Sequence, residues 1–292
     1  MKDHRHILAF TALCVGAVAM GSSPVFVRYA EVGPFASAFW RATLALPLLL
    51  LWACYEARQG NQRLRDTLKL NRSILLGGIF FAGDLFFWHL SILNTTITNA
   101  TLLSCLAPVW VALFSGIFIG EPVGKSTLQG LIICLVGTVL LIGTTYTIAP
   151  EQLWGDIYGI ITSMFFGLYF LCIRVGRRTH KAGALTFIST SVTALVLFLV
   201  VLISGQSLVP ATMTGVAALL ALGVISHSGG QGLLSVALGS LSASFSSLVI
   251  FVEALAAAIL GWLVFDEQLS LLQFSGAILI LFGIWVARPK SP

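Results

Sequence analysis

The sequence predicts an all-α integral membrane fold, with ten transmembrane helices arranged as two inverted five-helix repeats around a central cavity. Three observations predict it. Of 292 residues, 58% are hydrophobic and only 9% charged, and the mean hydropathy is +0.98; soluble domains carry about 25% charged residues. Ten apolar runs each approach the ~20 residues a helix needs to cross the hydrocarbon core. The chain also copies itself. A shift of 146, half its length, carries Gly21 and Arg28 onto Gly167 and Arg174, Glu121 onto Glu267, and Gly130 and Gly137 onto Gly276 and Gly283. Each half, 1–146 and 147–292, then holds five spans. An odd number of spans turns the second copy over in the bilayer, as in the inverted repeats of secondary transporters.

The first span, about 7–29, follows the short basic stretch Met1–His6, and no small-residue cleavage site comes after it. It reads as a retained helix and not as a signal peptide. Pro24, beside Gly21-Ser22-Ser23, marks a kink or a hinge. The second span, 34–56, carries Arg41, and the basic connection Ala57–Arg72 is expected to form a surface helix. The third, 73–93, carries Asp84 and His89. The fourth, 97–119, opens with Thr98-Asn99-Ala100-Thr101 and holds Pro108, which cannot donate to the Ser104 carbonyl and so bends the helix. The fifth, 125–145, has the small residues Gly130 and Gly137. The sixth, 153–174, repeats the first around Gly167 without its proline. The seventh, 183–203, matches the second poorly, with Phe187 at the shifted position of Arg41. The eighth, 213–237, contains Ser226-His227-Ser228-Gly229-Gly230-Gln231-Gly232. The ninth, 241–264, holds Glu253, and the tenth, 270–287, holds Gly276 and Gly283.

Lys and Arg set the orientation. With the N-terminus in the cytoplasm, all but Arg28 and Arg41 of the 16 basic residues fall on the cytoplasmic side. Both termini are therefore expected inside, in the plasma (inner) membrane. The net charge of +5 writes this topology and implies no nucleic-acid partner. The five cysteines lie within apolar runs without metal-ligand or pairing pattern. No P-loop, HExxH or GxSxG is present, so those hydrolase chemistries lack their motifs, and no cofactor or metal is expected.

Certain residues in this order resemble one family. They are Gly21 to Arg28 with its echo Gly167 to Arg174, Pro34 with Phe39-Trp40-Arg41, Ala107-Pro108 with Gly120-Glu121-Pro122, and Leu238-Gly239-Ser240 through Asp266-Glu267 to Gly276 and Gly283. The chain is similar over nearly its whole length to the drug/metabolite transporter superfamily and its EamA-type ten-helix exporters. The resemblance implies a basket of ten helices in which spans 1, 3, 4, 6, 8 and 9 surround the cavity and 5 and 10 lie together. It implies export of amino acids, metabolites or drugs. Aromatic-rich spans 3 and 4 look most like the YddG-type aromatic amino acid exporters.

An ionisable side chain at mid-bilayer costs about 2.5–3.5 kcal/mol on insertion scales, so each needs a reason. Glu253 reads either as a coupling or substrate-amine site or as a hydrogen-bonded packing group. Asp84 and His89, five residues apart, lie about 140° apart around their helix. Asp84 therefore pairs more naturally with Arg41, and His89 either lines the cavity or makes an interhelical hydrogen bond. The polar and tiny residues around His227, Ser228 and Gln231 fit a wetted site or a close helix approach. Trp40, Trp110 and Tyr169, with Asn99 and Thr101, complete the candidate substrate contacts. Gly21, Pro24, Pro108 and Gly167 are candidate hinges. Arg28 with Glu267, and Arg174 with Glu121, are candidate clasps at opposite faces, or simply solvated end charges. Small-residue seams on spans 5 and 10 are expected to close within one chain.

The expected activity is non-enzymatic alternating-access export of a small amphipathic metabolite by a monomer in a lipid bilayer, with an aromatic or other apolar amino acid as the leading solute. Three rivals remain open. One is a broader drug or metabolite exporter. Another is an intramembrane enzyme using His89, His227 and Glu253, and the third is a passive channel.

Overall fold

A computed structural model describes residues 2–143, 149–265 and 270–288. Among the described residues there is helix and no strand. Among the described residues, nine helices are long and apolar enough to cross a membrane: α1 (His6–Tyr29), α2 (Pro34–Gln59), α3 (Arg72–Asn94), α4 (Asn99–Ile119), α5 (Lys125–Ile142), α6 (Pro150–Gly176), α7 (Ala182–Ser204), α8 (Met213–Leu238) and α9 (Ala243–Val264). A shorter apolar helix, α10 (Leu271–Ala287), follows. The outward-facing side chains are themselves apolar, among them Ile117, Ile203 and Leu271, which are 76%, 88% and 86% exposed. Such a surface suits lipid and not water.

The chain forms two compact units, and neither is one half of the sequence. The first is Met1–Ala82 with Cys172–Leu241, and the second is Gly83–Leu171 with Ser242–Pro292. Helices α3 and α6 each begin in one unit and continue into the other. In the first unit α7 packs along α2, and α1 packs against α8. In the second, α5 lies along α10.

The α5–α10 seam is built from glycine. A Cβ on Gly130 would lie 2.5 Å from Ala287 Cβ and 2.9 Å from its backbone nitrogen, and it would press on the Gly283 carbonyl. One on Gly137 would lie 2.8 Å from the Gly276 carbonyl oxygen. Between them the Cys134 thiol donates to the Ile280 carbonyl at 3.5 Å. The partners run in opposite senses, so the two helices are antiparallel. They are also reciprocal under the 146-residue shift: 130 meets the image of 137, 137 meets the image of 130, and 134 meets its own image. That reciprocity is the mark of a two-fold relation between α5 and α10. The seam closes within one chain.

Caps recur at the same spacing. The Thr96 hydroxyl accepts the Asn99 N–H in the first turn leading into α4, and the Ser242 hydroxyl accepts the Phe245 N–H at the start of α9. Each satisfies a donor that a helix start leaves open. Gly120 closes α4 at φ 70° and Gly205 closes α7 at φ 63°, a left-handed turn that residues with a Cβ resist.

Prolines interrupt three helices. Helix α1 breaks at Ser22, ahead of Pro24. Pro24 has no N–H for the Met20 carbonyl, and the Ser23 hydroxyl takes that carbonyl at 2.6 Å. Helix α2 breaks at Leu44–Ala45 ahead of Pro47, and α4 at Cys105–Leu106 ahead of Pro108. The helical stretch Leu153–Gly176 of α6 runs unbroken past Gly167, as expected of the copy without a proline.

The surface helix expected over 57–72 is reduced to one turn, Leu64–Thr67. Asn61 takes a left-handed φ of 49°, which ends α2. The Asn71 carboxamide oxygen accepts the Ile74 N–H at 2.8 Å and starts α3 anew.

Candidate functional site

The polar motif in the eighth span has an unusual backbone. Over Leu222–Gln231 helix α8 widens into a π-helix of 10 residues. π-turns are rare and concentrate at functional sites, because the wider turn pushes side chains and carbonyls off the ordinary ladder. The reason is local. Five of the seven residues Ser226–Gly232 are serine or glycine, and two of the three glycines admit no side chain. A Cβ on Gly230 would press on Met20, and one on Gly232 would lie 2.8 Å from the Trp52 ring. Gly229 differs: its Cβ would meet only the Val224 carbonyl of its own helix, at 3.6 Å. The Gly229 face therefore looks into open space, and half-buried Ser228 adjoins it.

Around this stretch the first unit assembles a polar cluster. The Ser226 and Ser22 hydroxyls meet at 3.2 Å, so the π-stretch touches α1 at its break. Ser228 donates to the Ala45 carbonyl at 3.3 Å, at the break in α2. Gln231 donates to the Met20 sulfur at 3.2 Å. His227 is 1% exposed. Its Nε2 is 2.9 Å from the Thr190 hydroxyl of α7, its ring lies edge-on to Phe81 at 5.5 Å, and its Nδ1 is buried without a hydrogen-bond partner. The Arg41 guanidinium sits 5.8 Å from the centre of the same Phe81 ring. Two broken helices thus meet the widened stretch at Ser226 and Ser228, on either side of His227 in the chain, and the ring itself is held from α7 and α3.

Helix α8 is held at both ends by charges of the sign its dipole prefers. At its start, the Glu31 carboxylate accepts the Thr212 N–H at 2.8 Å and the Thr212 hydroxyl at 2.9 Å. Glu31 does so from a left-handed φ of 55°, a conformation uncommon for a residue with a side chain. At its end, Arg174 donates to the Leu238 carbonyl at 2.6 Å and Arg177 Nε donates to the Ser235 carbonyl at 2.7 Å. Arg177 also donates to the His180 carbonyl. Burial pushes the Arg177 pKa down from its ordinary value; Glu56 opposes this and Arg174 adds to it. Arg174, a candidate clasp, is thus engaged by the end of α8.

Other nominated residues are placed as follows. The Trp40 indole donates to the Leu208 carbonyl at 2.7 Å and tethers the loop before α8. Trp40→Phe keeps an aromatic ring but removes this donor, and should lower stability by about 1 kcal/mol, read as a lower melting temperature in detergent. Arg28 and Pro24 are exposed, and Gly21 is buried.

In the second unit, Asn99 is fully buried. Its carboxamide accepts from Thr96 at 2.8 Å and donates to Asp156 at 3.2 Å, and Thr95 donates to the same carboxylate at 2.9 Å. This seam joins the starts of α4 and α6. The Thr101 carbonyl accepts the Ser104 hydroxyl at 2.8 Å. The Trp110 indole donates to Ser163 at 2.9 Å, and a Cβ on Gly167 would lie 2.9 Å from Trp110 Cβ. Gly167 is therefore a contact glycine between α6 and α4. Tyr169 is 3% exposed and stacks on Phe166 at 6.0 Å. His89 is buried, with Nδ1 2.6 Å from the Leu85 carbonyl of its own helix and its ring edge-on to Trp88. The Asp84 carbonyl accepts the Thr162 hydroxyl at 2.5 Å. Glu253 is half-buried on α9 and within electrostatic reach of Cys105. Glu121 accepts the Ala243 N–H at 3.1 Å, capping α9. Glu267 lies outside the described residues.

Sequence reasoning did not single out Thr190, Glu31, Arg177 or Pro47. Arg177 had a signal, since it stands three residues after Arg174 and so on the same helical face. Thr190 had none, because it is one of many hydroxyls in an apolar helix.

A profile of the EamA-like transporter family matches residues 7–143 and matches again over 153–288. The chain belongs to the EamA-like transporter family. An uncharacterized transporter of Archaeoglobus fulgidus is 27% identical over 276 residues, 94% of each chain. The pseudopaline exporter CntI of Pseudomonas aeruginosa is 25% identical over 219 residues, 75% of each. A solved crystal structure superposes with a TM-score of 0.81 over 97% of each chain at 18% identity, and so shares the fold. This EamA-like transporter is thus a multi-pass membrane protein of the drug/metabolite transporter superfamily, handling small molecules from within a lipid environment.

Proposed function

We propose that this EamA-like transporter exports a small amphipathic metabolite by alternating access across the plasma (inner) membrane, with both termini in the cytoplasm and His227, Ser228 and Gln231 among its substrate contacts. The observation that carries the reading is the π-helical stretch of α8, with its buried, unpartnered His227 Nδ1 and open Gly229 face. A stretch kept only for packing would have little reason to widen its backbone or to leave a polar ring atom unmatched inside it. The bias of Lys and Arg supports the orientation. The export direction is supported by the pseudopaline exporter, a relative over 75% of the chain. Aromatic amino acids are the narrower candidate solutes, favoured by the half-buried Trp40 and Trp110. Tyr169 lends less support, since its ring is spent on Phe166.

The test is efflux from proteoliposomes loaded with a labelled metabolite mixture that includes tryptophan, phenylalanine and threonine. Saturable loss of one solute class is expected, and it should fall at least about tenfold in Gly229→Leu, whose side chain fills the open face at a cost of 1.4 kcal/mol or more in binding. Leakage of every solute without saturation would instead make the protein a channel. Retention of all of them would end the transport reading.

A further inference from the structure

We infer that the His227 cluster is a carboxylate subsite: the exported solute carries a carboxylate, which docks on His227 Nδ1 within the field of Arg41. The inference rests on the transport reading above and names its solute chemistry. A neutral imidazole has one donor and one acceptor nitrogen, and the partner of one decides the role of the other. Nε2 faces the Thr190 hydroxyl at 2.9 Å. The Phe81 ring lies 5.8 Å from the Arg41 guanidinium and 5.5 Å from the imidazole. A positive charge near the ring favours a negative guest over a positive one. The carboxylate guest requires Thr190 to donate to Nε2, which leaves the proton on Nδ1. The buried and unpartnered atom is then an N–H donor, and the guest that satisfies it beside a guanidinium is an anionic oxygen acceptor. A solute ammonium would meet a donor and a like charge together.

The experiment uses the full-length protein in detergent micelles with 15N-labelled histidine. The ring-nitrogen shifts of His227, assigned by its loss in a His227→Gln variant, report which nitrogen holds the proton. The probes are acetate with acetamide, L-alanine with L-alaninamide, and L-phenylalanine with L-phenylalaninamide. The proton is expected on Nδ1, and the acids are expected to move that shift while the amides leave it in place. Two substitutions sharpen the test. Asparagine offers an amide N–H near the Nδ1 position, whereas glutamine offers one near Nε2. His227→Gln should therefore weaken competition by acids in the efflux assay by about tenfold, and His227→Asn by less. A ring with its proton on Nε2 overturns the inference, as does one that answers acids and amides alike or answers neither. Export of uncharged solutes with a silent ring ends the carboxylate subsite and leaves the transport reading standing. A ring that answers acids in a protein that moves no solute has the opposite meaning.

Discussion

Gly130→Leu should unfold or grossly loosen the second unit, with a melting temperature well below that of the parent protein. At Gly130 a Cβ would lie 2.9 Å from the Ala287 backbone nitrogen and would press on the Gly283 carbonyl. Backbone atoms cannot rotate away as a side chain can, so α5 and α10 must part. Overpacking typically costs about 1–3 kcal/mol and occasionally more. Here the top of that range is expected, because the displacement also breaks the matched contacts at Gly137 and Gly276. Gly130→Ala should show the same effect at smaller size. The seam carries its own reporter: Cys134 is buried against Ile280, so a thiol-reactive dye should label it sooner in either variant. Gly116→Leu is the control. A Cβ there meets nothing within 4 Å, and its stability should match the parent's. Equal melting of Gly130→Leu and Gly116→Leu would show that the seam does not hold the unit together.

Arg174→Gln with Arg177→Gln should release the end of α8. The two guanidiniums satisfy the Leu238 and Ser235 carbonyls, at 2.6 and 2.7 Å, where a helix end leaves acceptors open and negative. Hydrogen bonds from charged donors are worth about 1.5–3 kcal/mol each, so the double variant should lose a few kcal/mol and each single variant less. Arg177→Lys should rescue only part of the loss. A lysine keeps the charge but cannot span the Ser235 and His180 carbonyls with one rigid fork. Because the same helix holds the π-stretch, export should slow in proportion to the loss of stability. A double variant that melts and exports like the parent would show that these contacts are idle.

Much of the fold was legible in the sequence. The span expected over 34–56 is the helix Pro34–Gln59, and that expected over 183–203 is Ala182–Ser204. Such agreement arises because bilayer thickness fixes the length of an apolar run. Pro24 and Pro108 showed where helices break, since a missing N–H has the same consequence in any context. The motif at Ser226–Gly232 drew attention because polar residues in hydrocarbon need partners. Which partners was not legible. Asn99 looked like a substrate contact and sits in a seam with Asp156. His89 looked much like His227, and the difference lies in the partner: its Nδ1 faces the carbonyl of its own helix, whereas His227 Nε2 faces a hydroxyl of another. An apolar helix has no polar face to betray which side turns inward, so hydropathy gives depth and length but not rotation.

By itself, then, the sequence determined the solvent of this protein, the lengths of its spans, the 146-residue repeat and the glycine positions where two helices touch. Each of these follows from composition and spacing, which act the same way wherever the chain lies. The tertiary structure alone decided that α8 widens around His227, that Thr190 claims one ring nitrogen and leaves the other, and that Glu31, Arg174 and Arg177 hold the ends of that helix. Those outcomes depend on which side chains from distant helices arrive within about 3 Å of a given atom, the range of a hydrogen bond, and no pattern along the chain encodes that distance.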